Sequence, residues 1–368
     1  MSETSLVFIV YALADPDSPT LRVSLQISSD GGATWNVPVN SASGTGIGDS
    51  VQRGNGKVIS WNAGADWPGY DGNLRFRVLA SDDIVPAGMA LIPAGSFAMG
   101  NSTNSTEGGS DELPVHTVNV STFYMDRYEV TKQLWDEVKA WGSSEGRGYG
   151  DLPPGGGKGS NHPVHTISWY DVVKWCNARS QKDNLTPVYY TNDAQTVIYK
   201  TGNVNVSNAQ VKWSARGYRL PTEAEWEKAA RGGLSAQRFP WGATATHGDA
   251  NYTSSASFSY DISPTRGYHP TYAVGDTPFT SPVGAFSPNA SGIYDMAGNA
   301  REWCWDWYSS TYYSISIVGD PPGASTGTGR MVRGGAWFYD AAGCRVADRA
   351  TRAPTFSADY LGFRSVRR

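Results

Sequence analysis

The side chains and carbonyls of one short segment are suited to holding a hard cation. The segment reads Asp295-Met-Ala-Gly-Asn-Ala-Arg-Glu302 and places one carboxylate at each end, with backbone carbonyls between them. Calcium in proteins is bound mainly by carboxylate and carbonyl oxygens. The pattern predicts a Ca²⁺ site that includes Asp295 and Glu302, and the alternative is a hydrogen-bonded turn without metal.

Thiols and imidazoles are the other groups with possible chemistry. The three cysteines, Cys176, Cys304 and Cys344, are odd in number and far apart, which is not the pattern of a disulfide framework. We expect buried free thiols. His162 and His165 have a spacing at which both could face a metal, but no carboxylate follows at a recognisable interval, so we interpret them as structural.

Composition excludes several classes of function. The 368 residues carry 30 basic and 34 acidic side chains, and no basic run is interleaved with aromatic residues as a nucleic-acid groove requires. The first residues lack the basic region and cleavage site of a signal peptide, and no apolar run is long enough to span a membrane. We therefore expect a soluble protein, cytoplasmic or displayed on a cell or virion surface if a leader is missing, with no nucleic-acid partner.

The first 84 residues have the pattern of a small all-β domain. Residues Leu21 to Ser28 alternate apolar and polar side chains, which predicts a strand with Leu21, Val23, Leu25 and Ile27 on its buried face. Further strands are expected at 6–10, 58–61 and 74–78, with turns at 30–32 and 71–73. Strand number and spacing predict an immunoglobulin- or fibronectin-like β-sandwich over residues 1–84.

A linker over residues 81–88 precedes a second domain, 85–368, in which three helices can be placed. Thr131–Trp141 has helical spacing of its apolar residues. Ser168 with Asp171 predicts the start of a helix over Trp169–Arg179, and Thr222 with Glu225 forms a capping box. Residues 146–160 and 239–289 are rich in turn residues and are expected to be loops.

Eight segments, in order, resemble the formylglycine-generating enzyme, or sulfatase-modifying factor, family over about residues 86–368. The match is specific because all eight keep the family's order. The segments are Ile92–Gly100, Phe123–Thr131, His162–Trp169, Tyr218–Glu227, Pro240–Gly242, Gly292–Trp303, Arg333–Gly335 and Leu361–Arg364.

The resemblance implies an α+β fold of the C-type lectin-like kind, with much irregular structure and one or two structural calcium ions. Carried over residue by residue, the first calcium site comprises Asp295, Gly298, Ala300 and Glu302. A second site begins at Asn251 and Tyr252, with Asp276 offset by one residue from the position of its acidic partner.

The same resemblance puts oxidase chemistry in doubt. Family oxidases bind Cu(I) through two thiolates spaced Cys-x4-Cys shortly after Arg-Gly-Gly. Here Cys344 matches the second cysteine, but Tyr339 stands at the first position. A phenol is too hard a ligand for Cu(I), so we expect no copper and no formylglycine-generating activity.

The segment from about 336 to 364 also resembles the variable proteins of diversity-generating retroelements, in which Asn codons are randomised at their adenines. It retains Trp337, Cys344, Pro354 and Phe363 as a frame, but other residues occupy positions where family members often have Asn. Every replacement can be reached from an Asn codon by changing its two leading adenines. The candidate ligand-binding residues are Phe338, Tyr339, Asp340, Gly343, Asp348, Ala350, Thr351, Phe356, Ala358, Asp359 and Tyr360.

Three hypotheses follow from these patterns. The first is a non-catalytic display protein whose C-terminal surface binds an unknown protein or surface ligand, because exposed aromatic residues supply large contact area at low entropic cost. The second is a structural or regulatory homologue whose loops have drifted. The third is an enzyme of the formylglycine-generating type. For the display protein we expect the frame to be buried and the candidate residues to point outward.

Overall fold

The computed structural model describes residues 5–15, 20–69, 72–81, 85–103 and 106–368. The chain divides into two compact units, Met1–Val85 and Pro86–Arg368. The predicted linker has residues 82–84 outside the described part of the chain, as does Asp71 of a predicted turn.

Among its described residues, the N-terminal unit forms two antiparallel sheets. One sheet pairs β1 with β4, and the other has the order β3-β2-β5. A single helical turn, α1 (Ala63–Asp66), follows β4. The strands are β1 (Leu6–Leu13), β2 (Thr20–Ser28), β3 (Gly48–Gln52), β4 (Gly54–Asn62) and β5 (Arg75–Ser81).

The alternation in β2 gives this unit its core. Leu21, Val23, Leu25 and Ile27 are all at most 5% exposed, as their period of two predicts, and they pack with Ile59 and Trp61. The strands expected at 6–10, 58–61 and 74–78 fall within or overlap β1, β4 and β5. The immunoglobulin-like assignment stays a prediction.

In its described part, the C-terminal unit combines three small sheets with three α-helices. A four-stranded sheet has the order β12-β11-β10-β13, a three-stranded sheet the order β14-β9-β6, and β7 pairs with β8. The helices are α2 (Lys132–Gly142), α3 (Trp169–Lys182) and α4 (Glu223–Arg231). The strands are β6 (Met89–Ile92), β7 (Gly95–Met99), β8 (His116–Val120), β9 (Phe123–Asp126), β10 (Arg301–Trp307), β11 (Arg330–Arg333), β12 (Ala350–Arg352), β13 (Leu361–Gly362) and β14 (Val366–Arg367). The mixed α+β class is as expected.

All three predicted helices form, and their first residues explain why. The side chain of Thr131 accepts a hydrogen bond from the amide of Leu134 at the start of α2. Ser168 and Asp171 form a reciprocal capping box at α3, and Thr222 and Glu225 do the same at α4. These contacts satisfy amides that have no partner inside a helix.

Tryptophans fill the interior between the helices and the four-stranded sheet. Trp135 and Trp175 stack with ring centres 5.7 Å apart, and Phe363 meets both edge-on. Trp303 in β10 is fully buried in the same cluster. The tryptophan cluster thereby holds the four-stranded sheet against the helices. The segment between β11 and β13 begins and ends at these two buried strands. Within the described ranges, no helix combines the length and apolar character that crossing a membrane requires.

Candidate functional site

The candidate ligand-binding residues lie on two loops and one strand of the four-stranded sheet. The first loop connects β11 to β12, and the second connects β12 to β13. Strand β12 pairs with β11, and β13 pairs with β10, so both loops begin and end on one sheet. Residues 338–360 are therefore brought to one region by the sheet order.

Buried ion pairs anchor the first loop from within. Arg345 pairs with Glu112 at 2.6 Å, and Arg349 pairs with Glu223 at 2.7 Å, all four side chains being at most 5% exposed. Of the predicted frame, Trp337, Cys344 and Phe363 are buried, whereas Pro354 is half-buried. The loop is therefore fixed by charge and packing although it has little regular structure.

Four aromatic side chains, Phe338, Tyr339, Phe356 and Tyr360, form a contiguous group that we call the aromatic face. The Phe338 ring lies 4.4 Å from that of Tyr339 and 4.6 Å from that of Tyr360. The Phe356 ring lies 6.3 Å from that of Tyr360. These centroid separations are typical of favourable aromatic contacts. Residues separated by up to 22 positions in the chain thus share one surface.

Arg352 bridges the two loops beneath this face. Its guanidinium donates hydrogen bonds to the hydroxyl of Tyr339 at 2.9 Å and to that of Tyr360 at 3.4 Å. The same guanidinium lies 5.5 Å from the centre of the Phe356 ring. Arg352 therefore fixes the aromatic side chains against one another, a role that the sequence analysis missed.

Further aromatic residues extend the face beyond the C-terminal segment. The centre of the Trp337 ring lies 5.3 Å from that of Phe338. It lies 5.3 Å from that of Phe279 and 5.7 Å from that of Tyr268. Tyr268 is 47% exposed. Tyr268 and Phe279 belong to a turn-rich stretch without periodicity, so no sequence signal placed them here.

The candidate residues are less exposed than expected, since all eleven are half-buried. Phe356, Ala358, Tyr360 and Ala350 rest partly against the tryptophan-rich core, and Tyr339 rests against a smaller cluster that includes Cys344. Three of the four frame residues are buried as expected and Pro354 is half-buried, but the residues between do not simply point outward. These five residues contact a core and are also partly open to solvent.

Asp348 is the candidate residue whose contacts differ most from those expected of an exposed loop residue. Its carboxylate forms an ion pair with Arg301, whose side chain is 4% exposed. Burial raises the pKa of Asp348 to about 6, although Arg301 beside it acts in the opposite direction. The Arg301 guanidinium also lies 4.5 Å from the ring centre of Tyr339. Asp348 therefore compensates a buried charge as well as lying in the candidate segment.

The remaining candidates have smaller structural roles. The Asp340 carboxylate accepts hydrogen bonds from the amides of Ala342 and Gly343, which closes a turn. The carbonyl of Ala358 accepts a hydrogen bond from the amide of Thr166. Thr351, like Ala350, is part of β12, and its partner in β11 is Met331. Asp359 is half-buried near His165, whose pKa burial lowers and Asp359 raises.

The position of the family's thiol pair contains one thiol and one phenol. Cys344 is 2% exposed, and burial raises its pKa well above the usual value, so the thiolate is disfavoured. The Tyr339 hydroxyl accepts its hydrogen bond from Arg352 rather than facing a second thiol. Cys176 and Cys304 are also free and buried, as expected.

The first candidate metal segment contains a buried oxygen without a hydrogen-bond partner. Among the described residues, Oδ1 of Asp295 has none, while Oδ2 accepts from the Gly284 amide at 2.6 Å. Burial raises the pKa of Asp295 to about 6. Gly298 has φ +80°, and a Cβ there would lie 2.3 Å from the Asn251 carbonyl oxygen. An orphaned carboxylate oxygen is the kind of group that a hard cation satisfies.

Glu302, by contrast, already has protein partners. Its carboxylate pairs with Arg364 at 2.6 Å and accepts a hydrogen bond from the Trp226 indole at 2.8 Å. Glu129, which the sequence analysis did not single out, accepts from the Ala300 amide and the Asn299 side chain. Burial raises the pKa of Glu129 well above its usual range, and Asp295 and Glu302 raise it further. Three carboxylates thus interact around the single guanidinium of Arg364.

The residues of the second candidate metal site differ from one another in exposure. Asn251 and Tyr252 are 1% exposed, but Asp276 is exposed. The carbonyl of Tyr252 accepts a hydrogen bond from His247 at 3.2 Å, whereas Oδ1 of Asn251 has no partner among the described residues. In the described ranges, no three or more His, Cys, Asp or Glu side chains form a group able to hold a metal. Any cation would therefore depend on backbone carbonyls.

Comparisons with known proteins identify the family. The model of the sulfatase-modifying factor enzyme 1-like domain matches residues 76–368. The formylglycine-generating enzyme of Streptomyces coelicolor is 34% identical over 75% of this chain and 88% of its own length. A protein of Paenibacillus barcinonensis named chaperone protein LppX is 36% identical over 70% of this chain and 79% of its own.

Solved structures show the same relationship. Treponema denticola variable protein 1 superposes with a TM-score of 0.57 and 30% identity, covering 76% of this chain and 94% of that one. PvdO from Pseudomonas aeruginosa superposes with a TM-score of 0.54 and 28% identity, covering 76% of this chain and 93% of that one. The family therefore includes both proteins named as formylglycine-generating enzymes and a protein named as variable. This chain belongs to the formylglycine-generating enzyme family, with its C-type lectin-like fold.

Proposed function

We propose that this chain is a non-catalytic display protein that binds a ligand through the aromatic face. The observation that carries the proposal is a group of half-exposed aromatic rings on loops anchored by buried ion pairs. Rigid aromatic surfaces provide contact area with little loss of side-chain entropy on binding. The ligand would be a protein or another surface-presented molecule, since aromatic residues are enriched where proteins bind one another.

The proposal includes diversification of this surface. Phe338, Tyr339, Phe356 and Tyr360 all have codons reachable from Asn by changes at two adenines, and they form one contiguous face. One aromatic residue can be exchanged because the loop is kept in place by the buried frame and by the ion pairs of Arg345 and Arg349, which do not involve the aromatic face. The likeness to Treponema denticola variable protein 1 supports the proposal.

The alternative function is oxidation of a substrate cysteine, which the names of the sequence relatives favour. That chemistry in the family uses two thiolates, and this chain offers Cys344 alone, with Tyr339 at the other position. One buried thiol whose pKa is raised lacks the two-sulfur donor set that suits Cu(I). We therefore place the display function first.

We also propose a structural Ca²⁺ at Asp295, with the carbonyls of Gly298 and Ala300 as further ligands. The orphaned Oδ1 of Asp295 and the excess of buried negative charge around Arg364 support it. Glu302 would act mainly as the partner of Arg364 rather than as a full ligand. A bound cation would keep the Asp295 carboxylate ionised and stabilise the turn next to β10.

A paired library experiment tests the display function. In the face library, the codons of Phe338, Tyr339, Phe356 and Tyr360 are each replaced by the set that arises from an Asn codon by free choice of its first two bases. In the control library, the same codons replace four other half-buried residues, which pack on the tryptophan-rich core that also supports Phe356 and Tyr360. These residues are Leu134, Trp141, Leu185 and Trp213. Protease resistance of individual members measures folding.

We expect most members of the face library to remain folded and most members of the control library to lose protease resistance. Equal loss in both libraries would show that the aromatic face is a structural element, and the non-diversified homologue would then be the better account. Face members that remain folded can next be screened for changed ligand specificity, which the display function also requires.

A further inference from the structure

A cavity of about 340 Å³ lies between strand β7 and the C-terminal end of α4. Its lining residues come from positions 92–98, 228–235 and 291, none of which belongs to the aromatic face. The volume is at the lower end of the range found for small-molecule sites, roughly 300–1,000 Å³. The cavity is therefore large enough for a compact organic ligand.

The walls of this cavity are mainly apolar. Ile92 and Phe97 line one side, and Leu234 and Ala98 lie at more exposed positions. Leu234 is 39% exposed, so its side chain is open to contact with a ligand in the cavity. Burying these groups against the body of a ligand would remove apolar surface from water.

One cation in the lining has no matching carboxylate. The Lys228 ammonium donates to the carbonyl of Gly95 at 2.8 Å and to that of Val120 at 3.2 Å. An ammonium has three donors, so one remains for a ligand. In the described ranges, no carboxylate forms an ion pair with Lys228, whereas the neighbouring Arg231 pairs with Glu227 at 2.7 Å.

The direction of the pKa shift of Lys228 is that expected of an ammonium without a close carboxylate partner. Burial lowers its pKa, and the more distant Asp320 acts in the opposite direction. The Asp320 carboxylate already accepts hydrogen bonds from the amide and hydroxyl of Ser121. A ligand anion at Lys228 would therefore be a better partner than any carboxylate of the described chain.

We propose that this cavity binds a small amphiphilic anion, with a carboxylate or sulfonate on Lys228 and an aromatic or aliphatic body against Ile92, Phe97 and Leu234. The apolar walls supply the affinity, and the ammonium selects the charged headgroup, because a charged hydrogen bond contributes more than a neutral one. This site is independent of the proposed display function and would operate in any member that has the same lining.

The test uses two fluorescent probes of similar shape on the full chain. One is 8-anilinonaphthalene-1-sulfonate, which has the anionic group, and the other is N-phenyl-1-naphthylamine, which lacks it. Binding is titrated by fluorescence to obtain a Kd for each probe. We expect saturable binding of the sulfonate at one site and at least about tenfold weaker binding of the neutral probe, since tenfold corresponds to one charged hydrogen bond.

Variants then locate the bound probe. Lys228→Met should weaken sulfonate binding by about tenfold, and Lys228→Arg should retain most of it, because the charge is kept. If Lys228→Met does not fold, Ala98→Trp provides a second test by filling the cavity from an exposed strand position. The matched control is Thr117→Trp, which changes the residue paired with Ala98 on β8 but lies outside the lining.

The result that supports the proposal is loss of sulfonate binding in Ala98→Trp and its retention in Thr117→Trp. Unchanged binding in Ala98→Trp would place the probe elsewhere, for example on the aromatic face, and would overturn the proposal. Equal affinity for both probes would also overturn it, since the cavity would then be only an apolar surface. Absence of binding by either probe has the same consequence.

Discussion

Replacing Asp348 by Ser should destabilise the protein, although Asp348 lies in the segment proposed to vary. Its carboxylate is the ion-pair partner of Arg301, and the two side chains are only 19% and 4% exposed. Removing one member of a buried pair costs about 3–5 kcal/mol because the other charge is left uncompensated. Partial exposure of Asp348 reduces the expected loss to about 2–3 kcal/mol in the free energy of unfolding.

The assay is thermal unfolding of Asp348→Ser beside the matched control Asp340→Ser. A loss of 2–3 kcal/mol corresponds to a decrease in Tm of about 3–5 °C for a domain of this size. Asp340 only closes a turn with the amides of Ala342 and Gly343, so its replacement should cost at most about 1 kcal/mol. The two variants remove the same charge from the same loop and differ in the buried partner.

A double-mutant cycle identifies the cause. If the ion pair is responsible, adding Arg301→Met to Asp348→Ser should recover part of the lost stability, because the uncompensated charge is then absent. Equal decreases in Tm for the two Asp variants, or strict additivity in the cycle, would refute the reasoning. The fold would then depend on the loop as a whole and not on this pair.

Three further predictions follow. Because burial raises the pKa of Asp295 to about 6, protonation of its side chain favours the folded state below about pH 4, and this contribution is lost as pH rises through 6. Without added Ca²⁺, the free energy of unfolding of the wild type, relative to Asp295→Asn, should therefore fall between pH 4.5 and 7.5 in urea titrations, and a constant difference would contradict the assignment. Addition of Ca²⁺ at neutral pH should raise the Tm of the wild type but not that of Asp295→Asn. The Tm is measured by scanning calorimetry, with Mg²⁺ as the control cation. An equal rise of Tm in both proteins would exclude Asp295 as a ligand. Incubation with Cu(I) and a Cys-x-Pro-x-Arg peptide should yield no formylglycine by mass spectrometry, because Tyr339 stands where a thiolate is required, and detection of the aldehyde would establish the enzyme instead.

Local sequence patterns predicted the three α-helices of the C-terminal unit and several strands of the N-terminal unit, but none of the strands β6–β14. The helices after Thr131, Ser168 and Thr222 begin where a side chain can accept the first unpaired amides. The alternation in β2 predicted its buried face because side chains in a strand point to opposite sides. Both kinds of signal depend only on residues a few positions apart.

The composition of the site could be predicted only in part, because its contacts join distant residues. Tyr268 and Phe279 reach Trp337 across about 60 to 70 positions, and Arg352 bonds two hydroxyls on different loops. Asp348 was assigned to a free surface because its partner, Arg301, lies on another strand. Neither periodicity nor turn chemistry reports such long-range pairs.

The candidate metal sites also depend on contacts between residues that are distant in the sequence. The orphaned oxygen of Asp295 agrees with the predicted oxygen-rich site, but Glu302 pairs with Arg364 from the far C-terminus. Glu129 joins the same group from a segment more than 160 residues earlier. Their ionisation is set by mutual proximity and burial, which spacing within one segment cannot reveal.

The most direct test of the display function is the natural variation of the gene in a population of its host. The coding segment for residues 335–364 is amplified from many individual cells and sequenced, and the neighbouring DNA is searched for a near-copy beside a reverse-transcriptase gene. We predict substitutions concentrated in the codons of candidate residues such as Phe338, Tyr339, Phe356 and Tyr360, at positions where the near-copy has adenine. The codons of Trp337 and Phe363 should remain constant. Variation spread evenly along the segment, with no near-copy, would contradict the account.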